Sequence, residues 1–129
     1  MPISTAFRKR LYPHLPSIAA HFGTPFHIYD EQGIRQTVQQ LYAAFKNFDF
    51  CEYYAVKALP NPHILQVLYE EGCGFDCSSI PELILARQVG ATGDAIMFTS
   101  NNTTQEEFEF AAGQGGCILN LDDISQLDN

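Results

Sequence analysis

The sequence is poor in basic residues: 7 lysines and arginines stand against 15 aspartates and glutamates, and the formal net charge is −8. Nucleic acids and anionic membrane surfaces are bound mainly through lysine and arginine, so we expect neither as a partner. No apolar run approaches the roughly 20 residues that a membrane-spanning helix needs. The first residues also lack the charged and then apolar pattern of an export signal. We therefore expect a cytoplasmic protein.

Several common site signatures are absent as well. None of the four cysteines forms a C-x-x-C pair, and no histidine stands at zinc-ligand spacing beside them, so we expect reduced, buried thiols and no metal site. Neither G-x-x-x-x-G-K-[ST] nor G-x-G-x-x-G occurs. The histidine spacings support no Ser-His-Asp or Cys-His arrangement. These absences leave zinc sites, P-loop sites and catalytic triads without support.

What the sequence does contain is a repeat of strands and helices. Near-continuously apolar strands are predicted to start near residues 53, 75, 96 and 117, about 21 or 22 residues apart, with amphipathic helices between them. Such strands imply parallel β-structure with right-handed crossovers. Both the open doubly wound sheet and the (β/α)₈ barrel use this unit. A barrel typically needs about 250 residues, so these four units would form roughly half of one.

Capping and turn signals set the expected boundaries of the helices. Asp30 is the predicted N-cap of a long helix over 31–46. Segments 79–82 and 103–106 each fit a capping box that opens a helix. The remaining expectations are a short β-like run over 25–29, a strand over 51–56, a helix over 62–71, a glycine C-cap at 72–74 and another at 113–116, strands over 74–77, 95–99 and 117–121, and a last helix capped by Asp122 or Asp123.

The carboxyl ends of parallel strands are where function gathers in such folds. Lys57 follows the first predicted strand, and Asp76 lies in the second, one strand away. Burial disfavours the ammonium form, so a partly buried lysine has a lowered pKa and becomes an amine nucleophile towards an aldehyde. The alternative is a lysine that simply emerges into solvent, which the local pattern alone favours because lysines at strand ends are common.

The residues around Lys57 resemble a known signature. The segment 54–58, followed by Pro60-Asn61-Pro62, is similar to the lysine signature of the alanine-racemase-like (fold type III) pyridoxal-phosphate decarboxylases. Segment 22–30 resembles the Gly-Thr-Pro opening typical of diaminopimelate decarboxylases, and 74–79 with Glu82 resembles the second-strand motif of ornithine decarboxylases. The resemblance runs from about residue 20 to the last residue. It departs at Leu59, where the family usually has asparagine; leucine offers no hydrogen bond, so we expect no polar side-chain contact at this position.

The resemblance implies pyridoxal 5′-phosphate as the cofactor, bound by Lys57 with Asp76 beside it. Lys57 is also the implied catalytic residue: the substrate amine would displace it, the α-carboxylate would leave, and a proton would return to carbon. The implied reaction is decarboxylation of a basic or dibasic amino acid, with meso-diaminopimelate to lysine placed first. Ornithine, arginine and carboxynorspermidine decarboxylases are the alternatives within the enzymes. A non-catalytic, cofactor-binding or regulatory homologue is the alternative outside them.

The same resemblance implies a domain organisation. The expected fold is α/β, a partial (β/α)₈ barrel of about four βα units. Residues 31–129 would form the first half of the cofactor-binding barrel. Residues 1–30 would include a strand that pairs with a β-domain not contained in this chain. We expect the N-terminal part of a longer, homodimeric enzyme, with no activity from these 129 residues alone. Because its fourth strand would be an open apolar edge, the isolated chain is expected to dimerise or aggregate.

Overall fold

The computed structural model describes residues 3–113 and 115–128, in which helices and strands alternate after an N-terminal helical segment. The α-helices are α1 Thr5–Leu11, α2 Leu15–Phe22, α3 Glu31–Ala44, α4 Pro62–Glu70, α5 Ile80–Gln88 and α6 Gln105–Ala112. The strands are β1 Tyr53–Ala55, β2 Gly74–Cys77, β3 Gly93–Thr99 and β4 Cys117–Asn120. Short 3₁₀ turns cover Tyr12–His14, Val56–Ala58 and Ile124–Asp128. No helix in these residues is long and apolar enough to cross a membrane.

In the described part of the chain, the four strands form one parallel sheet in the order β1-β2-β3-β4. Each strand is preceded by its own helix, which gives the successive units α3–β1, α4–β2, α5–β3 and α6–β4. A doubly wound sheet reverses its strand order partway, whereas a barrel keeps neighbouring strands in sequence. The sequential order therefore confirms the predicted partial barrel.

The two faces of the sheet have different surroundings. Side chains of neighbouring strands in register point the same way, and successive side chains of one strand alternate between the faces. Phe75, Ile96 and Phe98 lie on the helix-covered face and are at most 1% exposed. Ala55, Asp76, Met97 and Ile118 are register partners on the opposite face, which we call the inner face.

Gly74 shows how closely the strands approach on the inner face. A Cβ atom at this position would lie 2.8 Å from the ring of Tyr53 and 2.9 Å from the carbonyl oxygen of Ala95. Side chains with a Cβ atom would therefore force β1, β2 and β3 apart. Glycine at residue 74 keeps the strand that carries Asp76 in register with its neighbours.

Two arginines connect neighbouring helices. Arg35 on α3 donates hydrogen bonds to Glu70 and Glu71 at the end of α4, at 2.7 and 2.9 Å, and also pairs with Glu31. Arg87 on α5 donates to the carbonyl oxygens of Phe110, Ala111 and Gly113, which belong to the last turn and C-terminal end of α6. These contacts fix the spacing of the helices that cover the sheet.

Several helix boundaries depart from the predictions. The helix predicted over 31–46 ends at Ala44, and the side chain of Asp30 does not cap it, because its carboxylate accepts a hydrogen bond from Arg10 at 2.6 Å. The capping box of α6 is formed by Thr104 and Glu107, one residue later than predicted. At the C-terminal end, the carboxylate of Asp123 accepts from the backbone N–H of Ser125 at 2.8 Å, so Asp123 is the capping residue.

The predicted turns and the 25–29 run have mixed outcomes. Gly72 has a positive φ of 93°, and the N–H of Cys73 bonds to the carbonyl of Leu68, which confirms the C-cap after α4. The second predicted C-cap includes Gln114, which lies outside the described residues. Residues 25–29 are not hydrogen-bonded into any strand of the described chain. Their pairing with a β-domain stays a prediction.

Candidate active site

Lys57 is carried by a short turn that directly follows β1. The strand ends at Ala55, and Val56–Ala58 form one 3₁₀ turn. Val56 is fully buried, which anchors the turn to the core, while the side chain of Lys57 is exposed. In the described residues, the ammonium group of Lys57 has no ion pair. The exposed side chain of Lys57 agrees with the solvent-facing alternative that the local sequence pattern favours.

The chain after Lys57 is fixed by a helix cap. The Asn61 side-chain oxygen accepts hydrogen bonds from the backbone N–H groups of His63 and Ile64, at 3.0 and 3.3 Å, and so begins α4. Leu59 is half-buried and packs against an apolar cluster that includes Val38 and Ile64. Where the resembling family usually offers a polar side chain, this protein has a packing contact.

Asp76 is the charged residue of the inner-face layer formed by Ala55, Asp76, Met97 and Ile118. It lies opposite Ala55 in the register, and Ala55 is two residues before Lys57. One carboxylate oxygen of Asp76, Oδ1, is buried and has no hydrogen-bond partner in the described chain. A buried acceptor without a donor costs free energy, so this oxygen is suited to a donor supplied by a ligand.

Glu82 orders the loop that follows Asp76. Its carboxylate accepts hydrogen bonds from the backbone N–H of Ser78 at 3.1 Å and from the hydroxyl of Ser79 at 3.0 Å. The side chain of Ser79 makes no capping bond, and Glu82 accepts from the backbone N–H of Ser78 rather than that of Ser79, so the predicted capping box does not form. The sequence predicts Glu82 as a capping residue. Because Glu82 follows Asp76 by six residues, its location near the end of the strand that carries Asp76 could be inferred from the sequence.

The ends of β3 and β4 add neutral polar groups to the same edge of the sheet. Thr99 and Asn120 are register partners, and the Asn120 amide donates to the Thr99 hydroxyl at 3.5 Å. Ser100 is only 8% exposed, and its carbonyl accepts a hydrogen bond from Thr103 at 3.0 Å. These polar groups therefore lie along the same carboxyl edge of the sheet as Lys57 and Asp76.

The buried cysteines are poor candidates for chemistry. Burial raises the pKa of the Cys77 thiol to about 12 and that of Cys73 to about 11, so both are neutral near pH 7. All four cysteines are free. Among the described residues, no group of three or more histidine, cysteine or acidic side chains could hold a metal ion. Lysine and carboxylate chemistry at the strand ends is what remains.

The surface grooves do not mark this site. One groove of about 480 Å³ is lined only by polar and charged side chains of α3, including Arg35. Another, of about 350 Å³, lies between α6 and the end of β4. Lys57 and Asp76 line neither groove. The candidate site is an open edge of a sheet rather than an enclosed cavity.

The sequential parallel sheet, with a lysine immediately after its first strand, defines a barrel-type α/β protein with an amine at the carboxyl edge. Residues 31–129 match the sequence profile of the family described as "Pyridoxal-dependent decarboxylase, pyridoxal binding domain". The chain belongs to this family, and the cofactor that the family implies is pyridoxal phosphate.

Individual relatives agree with this assignment. The chain is 50% identical over 128 residues to Protein TabA of Pseudomonas amygdali pv. tabaci, covering 99% of this chain and 30% of that protein. It is 38% identical over 112 residues to the diaminopimelate decarboxylase of Methanothermobacter thermautotrophicus, covering 85% of this chain and 26% of the relative. The chain thus spans less than a third of the length of these relatives.

Solved structures show the same fold. Diaminopimelate decarboxylase of Helicobacter pylori, complexed with L-lysine, aligns with a TM-score of 0.82 at 30% identity, covering 88% of this chain and 29% of that one. The lysine/ornithine decarboxylase of Vibrio vulnificus, complexed with putrescine, aligns with a TM-score of 0.81 at 24% identity, covering 98% and 33%. At that identity, the second comparison bears on the fold alone.

Proposed function

We propose that Lys57 is the residue that binds pyridoxal phosphate in the decarboxylation of an amino acid, and that Asp76 is a second cofactor-binding residue. The observation that carries this proposal is the buried, unpartnered Oδ1 of Asp76, on the strand next to the one that leads into Lys57. In the same proposal, residues 31–129 are the first half of the cofactor-binding barrel, and residues 1–30 are an N-terminal segment with a strand of a β-domain.

The residues present fit the cofactor. The exposed Lys57 amine, at the end of a short turn anchored by the buried Val56, is accessible to an aldehyde. Asp76 Oδ1 is buried without a donor, so it can accept a hydrogen bond from a ligand. When bound, pyridoxal phosphate supplies the aldehyde for the lysine amine and a ring that takes up the electrons released with carbon dioxide.

In the proposed reaction, the residues of this chain would anchor the cofactor and position the groups beside it. Lys57 Nζ would hold the cofactor through its aldehyde and, once replaced by the substrate amine, would stand as a free amine at the strand edge. Asp76 would offer its unpartnered Oδ1 on the inner face, and Glu82 holds the loop after Asp76 through Ser78 and Ser79. Because Lys57 follows β1 and Asp76 lies in the adjacent parallel strand β2, the sheet register sets their relative placement.

For the substrate, we propose meso-diaminopimelate, converted to lysine by a homodimeric enzyme. Support comes from diaminopimelate decarboxylases that are 38% and 32% identical to this chain. Ornithine, arginine and carboxynorspermidine remain the alternative substrates. A non-catalytic cofactor-binding protein is the alternative outside the enzymes. The relative at 50% identity, Protein TabA, has a name that states no substrate, so it favours none of these.

The cofactor proposal can be tested by titrating the chain with pyridoxal phosphate and following the near-visible absorbance that appears when its aldehyde condenses with an amine. The sequence has three lysines, so Lys9→Ala and Lys46→Ala are matched controls for Lys57→Ala. We expect saturable binding by the wild type and both controls, and its loss in Lys57→Ala. Equal titration curves for all four proteins would contradict the assignment of Lys57.

The substrate proposal is tested on the cofactor-loaded chain. Adding meso-diaminopimelate, ornithine or arginine in parallel titrations reports the concentration at which each amine displaces Lys57. We expect meso-diaminopimelate to act at the lowest concentration. A lower half-displacement concentration for ornithine or arginine would favour the alternative substrates.

A further inference from the structure

We propose that Tyr53 is a positioning residue for Asp76. Its ring closes the amino side of the Asp76 carboxylate on the inner face, so that a ligand reaches the unpartnered Oδ1 from the carboxyl edge of the sheet, where Lys57 stands. This inference rests on the proposed function, because it takes Asp76 as a cofactor-binding residue. Tyr53 itself would touch neither the cofactor nor the substrate.

The side chain of Tyr53 crosses the inner face from the first strand to the third. Tyr53 and Gly74 are register partners, so they share the face that also carries Ala55 and Asp76. The Tyr53 hydroxyl donates a hydrogen bond of 2.6 Å to the backbone carbonyl of Asp94, which lies near the start of β3. Because β2 lies between β1 and β3, the ring has to pass over β2 to make this contact.

Gly74 is the residue over which the ring passes. A Cβ atom at residue 74 would lie 2.8 Å from two carbon atoms of the Tyr53 ring. The ring therefore occupies the space in which a side chain of residue 74 would stand. Asp76 is the next residue of β2 on the same face, about 6.6 Å further along the strand. The ring of Tyr53 is thus the neighbour of Asp76 on its amino side.

This placement explains how Asp76 stays ready for a ligand. Asp76 as a whole is half-buried, yet its Oδ1 is buried and has no hydrogen-bond partner in the described residues. The register sets Ala55 and Met97 on its two sides, and the Tyr53 ring lies on its amino side, so the direction left open is the carboxyl edge. An acceptor that water does not reach needs no water removed before it accepts a bond from a ligand.

The Tyr53 hydroxyl is the anchor of the ring on β3. Burial raises the pKa of the Tyr53 phenol above its usual range, so the phenol stays a neutral donor to the Asp94 carbonyl at neutral pH. Phenylalanine at residue 53 would keep a ring over Gly74 but would lose this anchor. Tyr53→Phe should therefore retain part of the effect on Asp76, and Tyr53→Ala should retain none.

A double-mutant cycle on cofactor affinity tests whether Tyr53 acts through Asp76. We expect Tyr53→Ala to weaken binding of pyridoxal phosphate by about tenfold, and Tyr53→Phe to weaken it less. In the Asp76→Ala background, Tyr53→Ala should have no further effect, because the oxygen that the ring positions is gone. Unchanged affinity in Tyr53→Ala, or losses that multiply independently in the double variant, would overturn the inference.

A second cycle uses the cofactor-free chain, and so separates a failure of this inference from a failure of the proposed function. Asp76→Ala removes a buried acceptor without a donor, so the urea midpoint should rise. In the Tyr53→Ala background water reaches that oxygen, and the same substitution should leave the midpoint unchanged. An equal rise in both backgrounds would overturn the inference. Coupling in this cycle, together with unchanged cofactor affinity in Asp76→Ala, would support the cover and overturn the cofactor role of Asp76.

Tyr69 provides the matched control. It is also a half-buried tyrosine, and its hydroxyl donates to the backbone carbonyl of Gly90 at 3.3 Å. It lies on α4 and packs against Phe75 on the helix-covered face, away from Asp76. Tyr69→Phe should leave cofactor affinity unchanged, and a loss equal to that of Tyr53→Phe would overturn the inference. If Tyr53→Ala does not fold, Tyr53→Phe carries both cycles, with smaller effects in the same directions.

Discussion

At the scale of single residues, Asp76 is a side chain whose burial costs the fold free energy. Its buried Oδ1 lacks a donor in the described chain, although it lies among apolar neighbours on the inner face. Such an atom costs about 1–3 kcal/mol in the folded state unless a ligand satisfies it. A residue that costs stability in the free chain is expected to contribute to binding.

This reasoning predicts opposite effects of Asp76→Ala on stability and on binding. The free energy of unfolding of the cofactor-free chain should rise by about 1 kcal/mol, because the unsatisfied acceptor is removed. Affinity for pyridoxal phosphate should fall. Urea unfolding and cofactor titration measure the two quantities, with the exposed Asp94→Ala as the control that changes neither. A variant that loses stability and keeps its affinity would contradict the assignment of Asp76.

Cys77 gives a prediction about pH. Its thiol is fully buried on the helix-covered face, and burial raises its pKa from the ordinary 9.0 to about 12. Between these values the unfolded thiol loses its proton while the folded one keeps it. Rising pH therefore favours unfolding over this range, and the stability contributed by Cys77 is lost as the pH approaches 12.

Urea unfolding at pH 9 and 10 checks this expectation. The wild type should lose stability more steeply than Cys77→Ala, by up to about 1.4 kcal/mol per pH unit for the one thiol. The tyrosines also titrate at high pH, but they are present in both proteins and cancel in the difference. Parallel pH profiles for the two proteins would show that Cys77 is not buried as described.

At the scale of secondary-structure elements, Arg87 holds the end of α6 in place. It satisfies carbonyl groups of Phe110, Ala111 and Gly113, and its guanidinium carbon lies 5.2 Å from the centre of the Phe110 ring. Carbonyl groups at a helix end need donors, and a cation there also complements the helix dipole. The contact fixes the helix that leads into β4.

Arg87→Leu should therefore lower the free energy of unfolding by about 2–3 kcal/mol, because several charge-assisted hydrogen bonds are lost together. Arg87→Lys should fall between the variant and the wild type, since one ammonium group cannot span three carbonyls. Arg8→Leu on α1 serves as the exposed control. Urea unfolding of all four proteins tests the order, and equal stability of Arg87→Leu and the wild type would contradict it.

The α3–α4 contact gives a prediction about acid. The hydrogen bonds from Arg35 hold the pKa values of Glu70 and Glu71 below their usual range. These pairs stabilise the folded state at pH values above 4.5, the ordinary pKa of a glutamate. The stabilisation is lost as the pH falls through the lowered pKa values that Glu70 and Glu71 have in the folded state. In Arg35→Met, NMR titration should find both pKa values raised towards or above 4.5. Unchanged values would show that the pairs do not persist in solution.

The sequence predicts the type and order of these elements because apolar periodicity is strong in each. It is less successful where side chains have competing partners. Asp30 precedes α3 as predicted, yet its carboxylate bonds to Arg10, a contact twenty residues away that no local pattern contains. Thr103 and Thr104 are adjacent candidates for one cap, and Thr103 instead bonds to Ser100, which leaves Thr104 to cap.

In the candidate site, too, the sequence predicts which strands carry the residues, whereas their surroundings depend on tertiary contacts. The spacing of the repeat predicts that Lys57 and Asp76 follow or lie in adjacent strands, and the register confirms that placement. The exposure of Lys57 agrees with the alternative that the local pattern favours, although burial at a strand end depends on which side chains surround it in three dimensions. The missing donor at Asp76 Oδ1 likewise depends on packing between strands.

At the scale of the whole molecule, the chain presents an open inner face with one set of strand ends. Cofactor binding is assigned to Lys57 and Asp76 alone. Lys57 would anchor the cofactor, and Asp76 would position it by accepting a hydrogen bond. We therefore expect the 129-residue chain, loaded with pyridoxal phosphate, to release no carbon dioxide from meso-diaminopimelate above the rate of free cofactor. A radiolabelled carboxylate release assay measures this, and sustained release that Lys57→Ala abolishes would contradict the expectation.

The central claim is that Lys57 binds the cofactor, and covalent mapping tests it most directly. The chain is incubated with pyridoxal phosphate, reduced with borohydride to fix the cofactor on whichever amine holds it, and digested for peptide mass spectrometry. Because the sequence contains only Lys9, Lys46 and Lys57, every lysine is read in one experiment. We predict that the label saturates on the Lys57 peptide at the lowest cofactor concentrations. Labelling spread equally over the three lysines would contradict the account.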